Sequence, residues 1–220
     1  MSLKPTPVND ELYEYLKMNF SSEDDFLHQL LIEAEQEGIP NISISQEQGL
    51  FLQFILKTIN AENVLELGTL AGYSSITMAR ALAKGSHLIT IENEFKHALF
   101  ATRKIKEAGL DDIIEVQNSN ALDFLNIYKP DTELDFIFVD ADKPNYARYL
   151  DLLTPMLKIG GIFAADNAFA FGFVASSAPE RNPEDVKSIT GFNKYFRSHP
   201  QYFVSMVPVG DGIIMGVKIK

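Results

Sequence analysis

The 220-residue chain contains no cysteine and no tryptophan. Without cysteine, the protein can have no disulfide framework, no thiolate zinc site and no cysteine nucleophile. Basic residues are also few: 19 lysines and arginines stand against 30 aspartates and glutamates, which gives a net charge of −11. Because binding of nucleic acid depends on neutralising phosphates, this charge argues against a nucleic-acid partner.

Long apolar runs are absent as well. Toward the end of the chain the longest stretch without a charge, residues 167–179, has 13 residues, which is too short to cross a bilayer as a helix. The first nine residues contain Lys4 and two prolines but no apolar core, so we expect no signal peptide and a cytoplasmic protein without a membrane partner. With 46% hydrophobic and 22% charged residues, the composition is typical of a folded globular domain.

The first sixty residues show the apolar periodicity of helices. One helix is predicted over residues 10–20. Ser22 resembles the N-cap of a second helix, which the glycine and proline of residues 38–40 should end. Ser45 and Gln48 have the spacing of a capping box and predict the start of a third helix.

From residue 63 onward, short apolar runs alternate with helical patterns. This alternation predicts βαβ units and a mostly parallel sheet, covered by helices on both faces. The last two runs are separated by only five residues, which predicts an antiparallel hairpin. The predicted strands are 64–67, 88–91, 113–116, 136–139, 162–165, 202–207 and 213–219, and the predicted helices are 74–83, 94–108, 121–127, 146–157 and 191–199.

A glycine turn follows the first predicted strand. Gly68 and Gly72 allow the backbone to bend sharply and to approach a ligand, and Ser74 offers a hydroxyl beside them. The turn is not a dinucleotide fingerprint, because Leu70 stands where that motif needs glycine. The acidic Glu66 before the turn would repel a pyrophosphate but not a positively charged amino acid or a sulfonium.

Acidic residues end consecutive predicted strands. Glu92 ends the second strand, one βαβ step after Glu66, and an acid at that point can accept both hydroxyls of a ribose. The simpler alternative is that both acids are solvated strand ends.

A second pair of acids occurs further along the chain. Asp140 and Asp166 end the fourth and fifth predicted strands, and Asn167 adds an amide oxygen. Such an oxygen-only set suits Mg²⁺, Ca²⁺ or Mn²⁺. The alternative is that these residues cap helices or turns.

Three segments together resemble one enzyme family. They are ELGTLAGYS at 66–74, FIFVDADK at 136–143 and ADN at 165–167. From about residue 44 to residue 213 the chain is similar to the cation-dependent small-molecule O-methyltransferases, which use S-adenosylmethionine (SAM). The family includes catechol and caffeoyl-coenzyme A O-methyltransferases, and this chain resembles the second branch more closely and looks like a bacterial-type member.

The resemblance implies a fold. It is the α/β, Rossmann-like fold of class I SAM methyltransferases, with a seven-stranded, mostly parallel sheet in the order 3-2-1-4-5-7-6 and strand 7 antiparallel. A single domain of residues 1–220 is implied, in which an N-terminal helical cap (1–60) precedes a SAM-binding core (61–220). By the same resemblance, the N-terminal helices would contribute to a homodimer.

The resemblance also implies roles for individual residues. The residues that would bind SAM are Ile44, Glu66, Gly68, Thr69, Ser74, Glu92, Ala121 and Asp140. Those that would bind one divalent cation, with Mg²⁺ preferred and Ca²⁺ or Mn²⁺ as alternatives, are Asp140, Asp166 and Asn167. Those that would contact an aromatic hydroxyl acceptor are Asp142, Lys143 and Asn167. Asp140 and Lys143 would be catalytic, Lys143 as the general base.

The implied reaction is methylation of a catechol-like small molecule. The cation would chelate two vicinal oxygens, Lys143 or water would take the acceptor proton, and the phenolate would attack the sulfonium methyl, leaving S-adenosylhomocysteine (SAH). Two alternatives remain: methylation of a hydroxylated wobble uridine in tRNA, and a non-catalytic SAM-binding module.

A phenylalanine-rich segment follows the predicted cation ligands. Phe169, Phe171 and Phe173 could line an acceptor site, or they could pack in the core or at an interface. The plant enzymes have tryptophan where this chain has Ala170, which argues against a caffeoyl thioester as the acceptor.

Overall fold

The computed structural model describes residues 6–220. Residues 1–5, on which the expectation about a signal peptide partly depends, lie outside the described residues. Among residues 6–220, no helix has both the length and the apolar character that a membrane span requires.

From residue 6 onward, three helices precede the sheet: α1 (Asp10–Asn19), α2 (Asp25–Gln36) and α3 (Gln46–Ile59). The predicted N-cap of α2 is wrong. Asp24 caps it by accepting the Leu27 N–H at 3.0 Å, whereas the Ser22 hydroxyl donates to the carbonyl of Gln46 at 2.9 Å. The Ser45 capping box at the start of α3 is confirmed.

In the part of the chain that the structure describes, seven strands form one sheet in the order β3-β2-β1-β4-β5-β7-β6. The first five are parallel, and β7 is antiparallel to both of its neighbours, so the predicted order and the predicted hairpin are confirmed. The strands are β1 (Asn63–Leu67), β2 (His87–Glu92), β3 (Ile114–Asn118), β4 (Leu134–Val139), β5 (Leu157–Ala165), β6 (Tyr202–Val207) and β7 (Ile213–Lys218).

Five further helices cover the sheet: α4 (Tyr73–Ala79), α5 (Phe95–Glu107), α6 (Ala121–Ile127), α7 (Tyr146–Leu153) and α8 (Pro183–Arg197). Some bounds differ from the prediction. The helix predicted to reach residue 157 ends at Leu153, because a 3₁₀ turn containing Pro155 follows it and β5 then begins at Leu157. The last helix begins at Pro183 instead of residue 191, with two acids in its first turn.

The core lies on both faces of the sheet. Helices α3, α4 and α5 bury residues such as Leu52, Ile76 and Phe100 against one face. Helices α7 and α8 bury Leu150 and Phe196 against the other. Since both faces are covered, the central strands are almost continuously apolar, as the sequence predicts.

The carboxyl ends of the central strands meet at one edge of the sheet. The N–H of Asp140 donates to the Leu67 carbonyl at 2.9 Å, and the N–H of Asp166 donates to the Val139 carbonyl at 3.0 Å. The pairing of β1, β4 and β5 therefore places Gly68, Asp140 and Asp166 side by side.

Candidate active site

A cavity of about 670 Å³ opens at the carboxyl edge of the sheet. Ten of the twelve predicted site residues line it: Ile44, Gly68, Thr69, Ser74, Glu92, Ala121, Asp140, Asp142, Lys143 and Asn167. The other two, Glu66 and Asp166, do not. The sheet topology thus brings together side chains that are up to 123 residues apart in sequence, between Ile44 and Asn167.

The glycine turn after β1 has little room for a side chain. A Cβ at position 68 would lie 2.1 Å from the carbonyl oxygen of Asp140, and Gly68 has a φ of +100°. Gly72 has a φ of +85° at the N-cap of α4. Glycine at these positions lets the turn fit against β4 and brings the backbone to the cavity wall.

Glu66 lies beneath the cavity floor. Its carboxyl group is fully buried and accepts hydrogen bonds from the hydroxyls of Ser74 at 2.5 Å, Thr90 at 2.6 Å and Ser75. Burial raises the pKa of Glu66 to about 7, although the three hydroxyls oppose the shift. Of this group it is Ser74 that reaches the cavity, so Glu66 would act on a ligand through the Ser74 hydroxyl.

Glu92 is held at the opposite side of the glycine turn. Its Oε2 accepts the N–H of Leu70 at 2.8 Å, and its Oε1 accepts the N–H of Glu94 at 2.9 Å. His97 Nδ1 lies 3.7 Å from Oε1. These contacts fix a nearly buried carboxylate at the cavity wall with oxygen lone pairs left for hydroxyl donors.

Ala121 begins α6 at the same end of the cavity. Asn120 caps that helix by accepting the N–H of Leu122 at 2.9 Å, and both Asn120 and Ala121 line the cavity. Ile44 approaches from the segment between α2 and α3 and is buried.

Lys143 lies between two oxygen atoms. Its Nζ donates to Asp140 Oδ1 at 2.7 Å and to the Tyr146 hydroxyl at 2.8 Å. Burial raises the pKa of Tyr146 well above its ordinary value, so this hydroxyl stays protonated and accepts the lysine hydrogen bond through its lone pair. The neighbouring Asp142 accepts hydrogen bonds from the Tyr149 hydroxyl and from Asn145.

Asp166 is buried behind Asp140. Its Oδ1 accepts a hydrogen bond from Gln48 Nε2 at 2.7 Å, across 118 residues of sequence. The pairing of β4 with β5 places Asp166 next to Asp140. Burial raises the pKa of Asp166, and the charge of the neighbouring Asp140 raises it further. Asn167 has a φ of 58°, and its Nδ2 lies 3.3 Å from Asp211 Oδ2.

The donor set fits a divalent cation. Asp166 is buried and Asp140 is partly buried, so their carboxylates repel each other with little screening by water, and a bound cation would offset that repulsion. With its amide nitrogen directed at Asp211, Asn167 keeps its amide oxygen for a ligand. Among the described residues no group of three His, Cys, Asp or Glu side chains forms a metal site, and the third donor here is an amide oxygen.

The sequence reasoning did not identify several residues at this site. Gln48 was recognised only as a helix cap, and Asp211 lies in the hairpin turn at 208–212, which shares in the family resemblance but received no predicted role. Of the three phenylalanines, Phe171 lines the cavity, whereas Phe173 packs against the small cluster around Val186.

A family model described as O-methyltransferase matches residues 18–219. The chain belongs to the O-methyltransferase family. The predicted family, fold and enzyme class, a SAM-dependent O-methyltransferase, are therefore confirmed.

Individual relatives agree with this assignment. The chain is 39% identical over 173 residues to a catechol O-methyltransferase of Niastella koreensis, covering 76% of this chain and 78% of the relative. It is 33% identical to a caffeoyl-CoA O-methyltransferase of Populus kitakamiensis, with 81% of this chain and 79% of the relative covered. A crystal structure of the O-methyltransferase from Bacillus cereus in complex with SAH matches with a TM-score of 0.85 at 32% identity, covering 93% of this chain and 96% of that one.

Proposed function

We propose that this O-methyltransferase is metal-dependent and methylates a hydroxyl of a catechol-like small molecule. The observation that carries the proposal is one cavity that joins Glu92 and Ser74 to Asp140, Lys143 and Asn167. A ribose-binding acid, a candidate general base and oxygen ligands for a cation thus face one space. The relatives named as catechol and caffeoyl-CoA enzymes support the same choice of acceptor.

The cofactor would occupy the part of the cavity near Glu92. In this proposal Glu92 accepts the ribose hydroxyls, Ala121 lies beside the adenine, and the Thr69 and Ser74 side chains surround the methionine part. Ile44 would cover the cofactor from the segment before α3. Two backbone N–H groups already fix the Glu92 carboxylate, so this side chain loses little conformational freedom when it binds the ribose. Such pre-organisation favours affinity for the cofactor.

The cation would be held by Asp140, Asp166 and Asn167. When bound, it would supply positive charge that orients two vicinal oxygens and lowers the pKa of the reacting hydroxyl. Mg²⁺ is the proposed ion, with Ca²⁺ or Mn²⁺ as alternatives, because all three donors are oxygens.

Lys143 would take the proton of the reacting hydroxyl. SAM, when bound, would supply an activated methyl group: the phenolate oxygen would bond to the methyl carbon as the carbon–sulfur bond breaks, and SAH would leave with its sulfur as an uncharged thioether. The lysine keeps the proton until product release. Asp140 and Tyr146 hold the Nζ at 2.7 and 2.8 Å, so the base has a defined position in the cavity wall.

The size of the cavity favours a small acceptor. Pockets for one drug-sized ligand are about 300–1,000 Å³, and the 670 Å³ here must hold both cofactor and acceptor. A single-ring catechol meets this limit better than a coenzyme A thioester. The net charge of −11 also disfavours tRNA as the acceptor.

The test is methyl transfer from SAM to catechol, followed by mass spectrometry, with and without a chelator. We expect a monomethylated product that disappears with chelator and returns on addition of excess Mg²⁺. Full activity in chelator would contradict metal dependence. Absence of any methylated catechol would contradict the proposed acceptor.

A further inference from the structure

The wall of the cavity next to the proposed cation ligands is formed by residues 167–182, between β5 and α8. Four non-glycine residues in this segment have left-handed backbone conformations: Asn167, Ala170, Phe171 and Asn182. Such conformations are costly and persist only where surrounding contacts impose them.

Asp211 supplies one such contact. Its Oδ2 accepts the backbone N–H of Phe171 at 2.9 Å and lies 3.3 Å from the side-chain amide of Asn167. One carboxylate therefore fixes both a proposed cation ligand and Phe171. Phe171 and Asn167 both line the cavity.

Arg181 lies over that ring. Its guanidinium carbon is 5.1 Å from the centroid of Phe171, a cation–π distance, and both side chains line the cavity. Within residues 6–220, the arginines that form ion pairs with carboxylates are Arg80 and Arg103. Arg181 is exposed and is not among these paired arginines, so its N–H donors are available to a ligand.

Arg181 differs in charge from most of the other charged residues that line the cavity. Among the described lining residues the other lysine or arginine is Lys143, whose Nζ lies 2.7 Å from Asp140 Oδ1 and which is already assigned to the acceptor proton. The other charged lining residues are acidic: Glu92, Glu94 and Asp142. An anionic group in this cavity would therefore find its partner at Arg181.

We propose that Arg181 selects catechol acceptors that carry an anionic substituent, a carboxylate foremost, on the ring that bears the hydroxyls. This inference rests on the proposed function. With the vicinal hydroxyls at Asn167 and Lys143, the ring lies along Phe171 and its carboxylate meets the guanidinium. Arg181 is then a specificity-determining residue that does not take part in the chemical step.

A carboxylate could also come from the cofactor, since SAM carries one on its methionine part. In that case, replacing Arg181 would weaken SAM binding and would affect all acceptors equally. Binding of SAM, measured by calorimetry without acceptor, separates the two sources.

The experiment compares wild type with Arg181→Gln on three acceptors: catechol, 3,4-dihydroxybenzoate and 3,4-dihydroxyphenethylamine. We expect Arg181→Gln to raise KM for the carboxylate about three- to tenfold with kcat unchanged, and to leave KM for catechol unchanged. Arg181→Glu should go further and favour the amine over the carboxylate. Lys187→Gln is the control, since it removes one charge from an exposed position on α8 outside the cavity lining.

A second measurement does not depend on turnover. Calorimetric binding of 3,4-dihydroxybenzoate to the SAH complex should weaken in Arg181→Gln and stay unchanged in Lys187→Gln. Equal binding by wild type and Arg181→Gln, or no binding to either, would overturn the inference, as would a loss of SAM affinity. If wild type binds the carboxylate through Arg181 but methylates none of the acceptors, the proposed function fails and the anion site remains.

Discussion

A fully buried carboxyl group at position 66 is unusual, because desolvation opposes its charge. Three hydroxyls surround it, and burial still raises its pKa to about 7. A carboxyl with a raised pKa binds its proton more tightly in the folded state than in the unfolded state. The folded protein is therefore stabilised below pH 4.5, and this contribution is lost as the pH rises from about 4.5 to 7.

Replacement of Glu66 by glutamine should remove this dependence. The shift from 4.5 to about 7 corresponds to about 3 kcal/mol of free energy of unfolding. We expect wild type to lose stability between pH 5 and pH 8 relative to Glu66→Gln, as measured by urea unfolding at each pH. A constant difference between the two proteins across this range would show that Glu66 titrates normally.

Lys143 provides a test of the proposed chemistry. Lys143→Ala should lower the rate about 10²–10⁴-fold, the usual share of general acid–base catalysis. The deficit should shrink at high pH and with more acidic catechols, because an acceptor that is already ionised needs no base. The measurement is a pH–rate profile on two catechols of different acidity.

The control for this variant is Lys158→Ala. Lys158 also pairs with an aspartate, Asp135, but near the start of β4 and outside the cavity lining. We expect its pH–rate profile to match that of wild type. An equal deficit of Lys143→Ala at every pH and on both catechols would mean that Lys143 positions the acceptor or supports the fold.

At the scale of elements, α3 and the site share one side chain. Gln48 Oε1 accepts the backbone N–H of Ser45 at 3.0 Å and caps the helix, while its Nε2 donates to Asp166. This hydrogen bond from the Gln48 amide to Oδ1 fixes the orientation of the Asp166 carboxylate. The N-terminal helices thus support a residue of the proposed cation site.

Two variants separate these roles. Ser45→Ala weakens the cap but leaves the contact to Asp166, and should cost about 1 kcal/mol of stability without changing cation affinity. Gln48→Leu loses both contacts and should weaken Mn²⁺ or Mg²⁺ binding about 10–100-fold, the usual effect of removing a partner that orients a ligand. Calorimetric titration with each ion measures this directly. If Ser45→Ala and Gln48→Leu bind the cation with equal affinity, Gln48 caps the helix but does not support the cation site.

The elements that the sequence predicted well have local signals. The alternation of apolar runs with helical patterns predicts that Glu92, Asp140 and Asp166 end parallel strands. Because parallel strands end at the same edge of a sheet, it also predicts that these acids lie at one edge. The start of α8 was missed because its apolar stripe is weak near Pro183, although the proline and following acids are a valid N-terminal signature. Contacts such as Asp211 with Phe171 depend on distant chain segments and leave no periodic trace in sequence.

At the scale of the whole molecule, α1 is poorly covered. Against the other described residues, none of its side chains is buried, and Tyr15, Met18 and the adjacent Phe20 are 54%, 82% and 50% exposed. A helix of 10 residues is too short to be stable in water without packing. We therefore predict that a second copy of the chain covers this surface in a homodimer.

Light scattering at micromolar concentration tests this prediction. Wild type should have twice the mass of the chain, and a Tyr15→Glu, Met18→Glu variant should be monomeric, because charges at both positions would be buried in the interface without partners. Phe203→Glu serves as the matched control, since Phe203 is 71% exposed on the edge strand β6. It should remain dimeric. A monomeric wild type would refute the dimer, and a dimer that persists in the double variant but dissociates in Phe203→Glu would move the interface to β6.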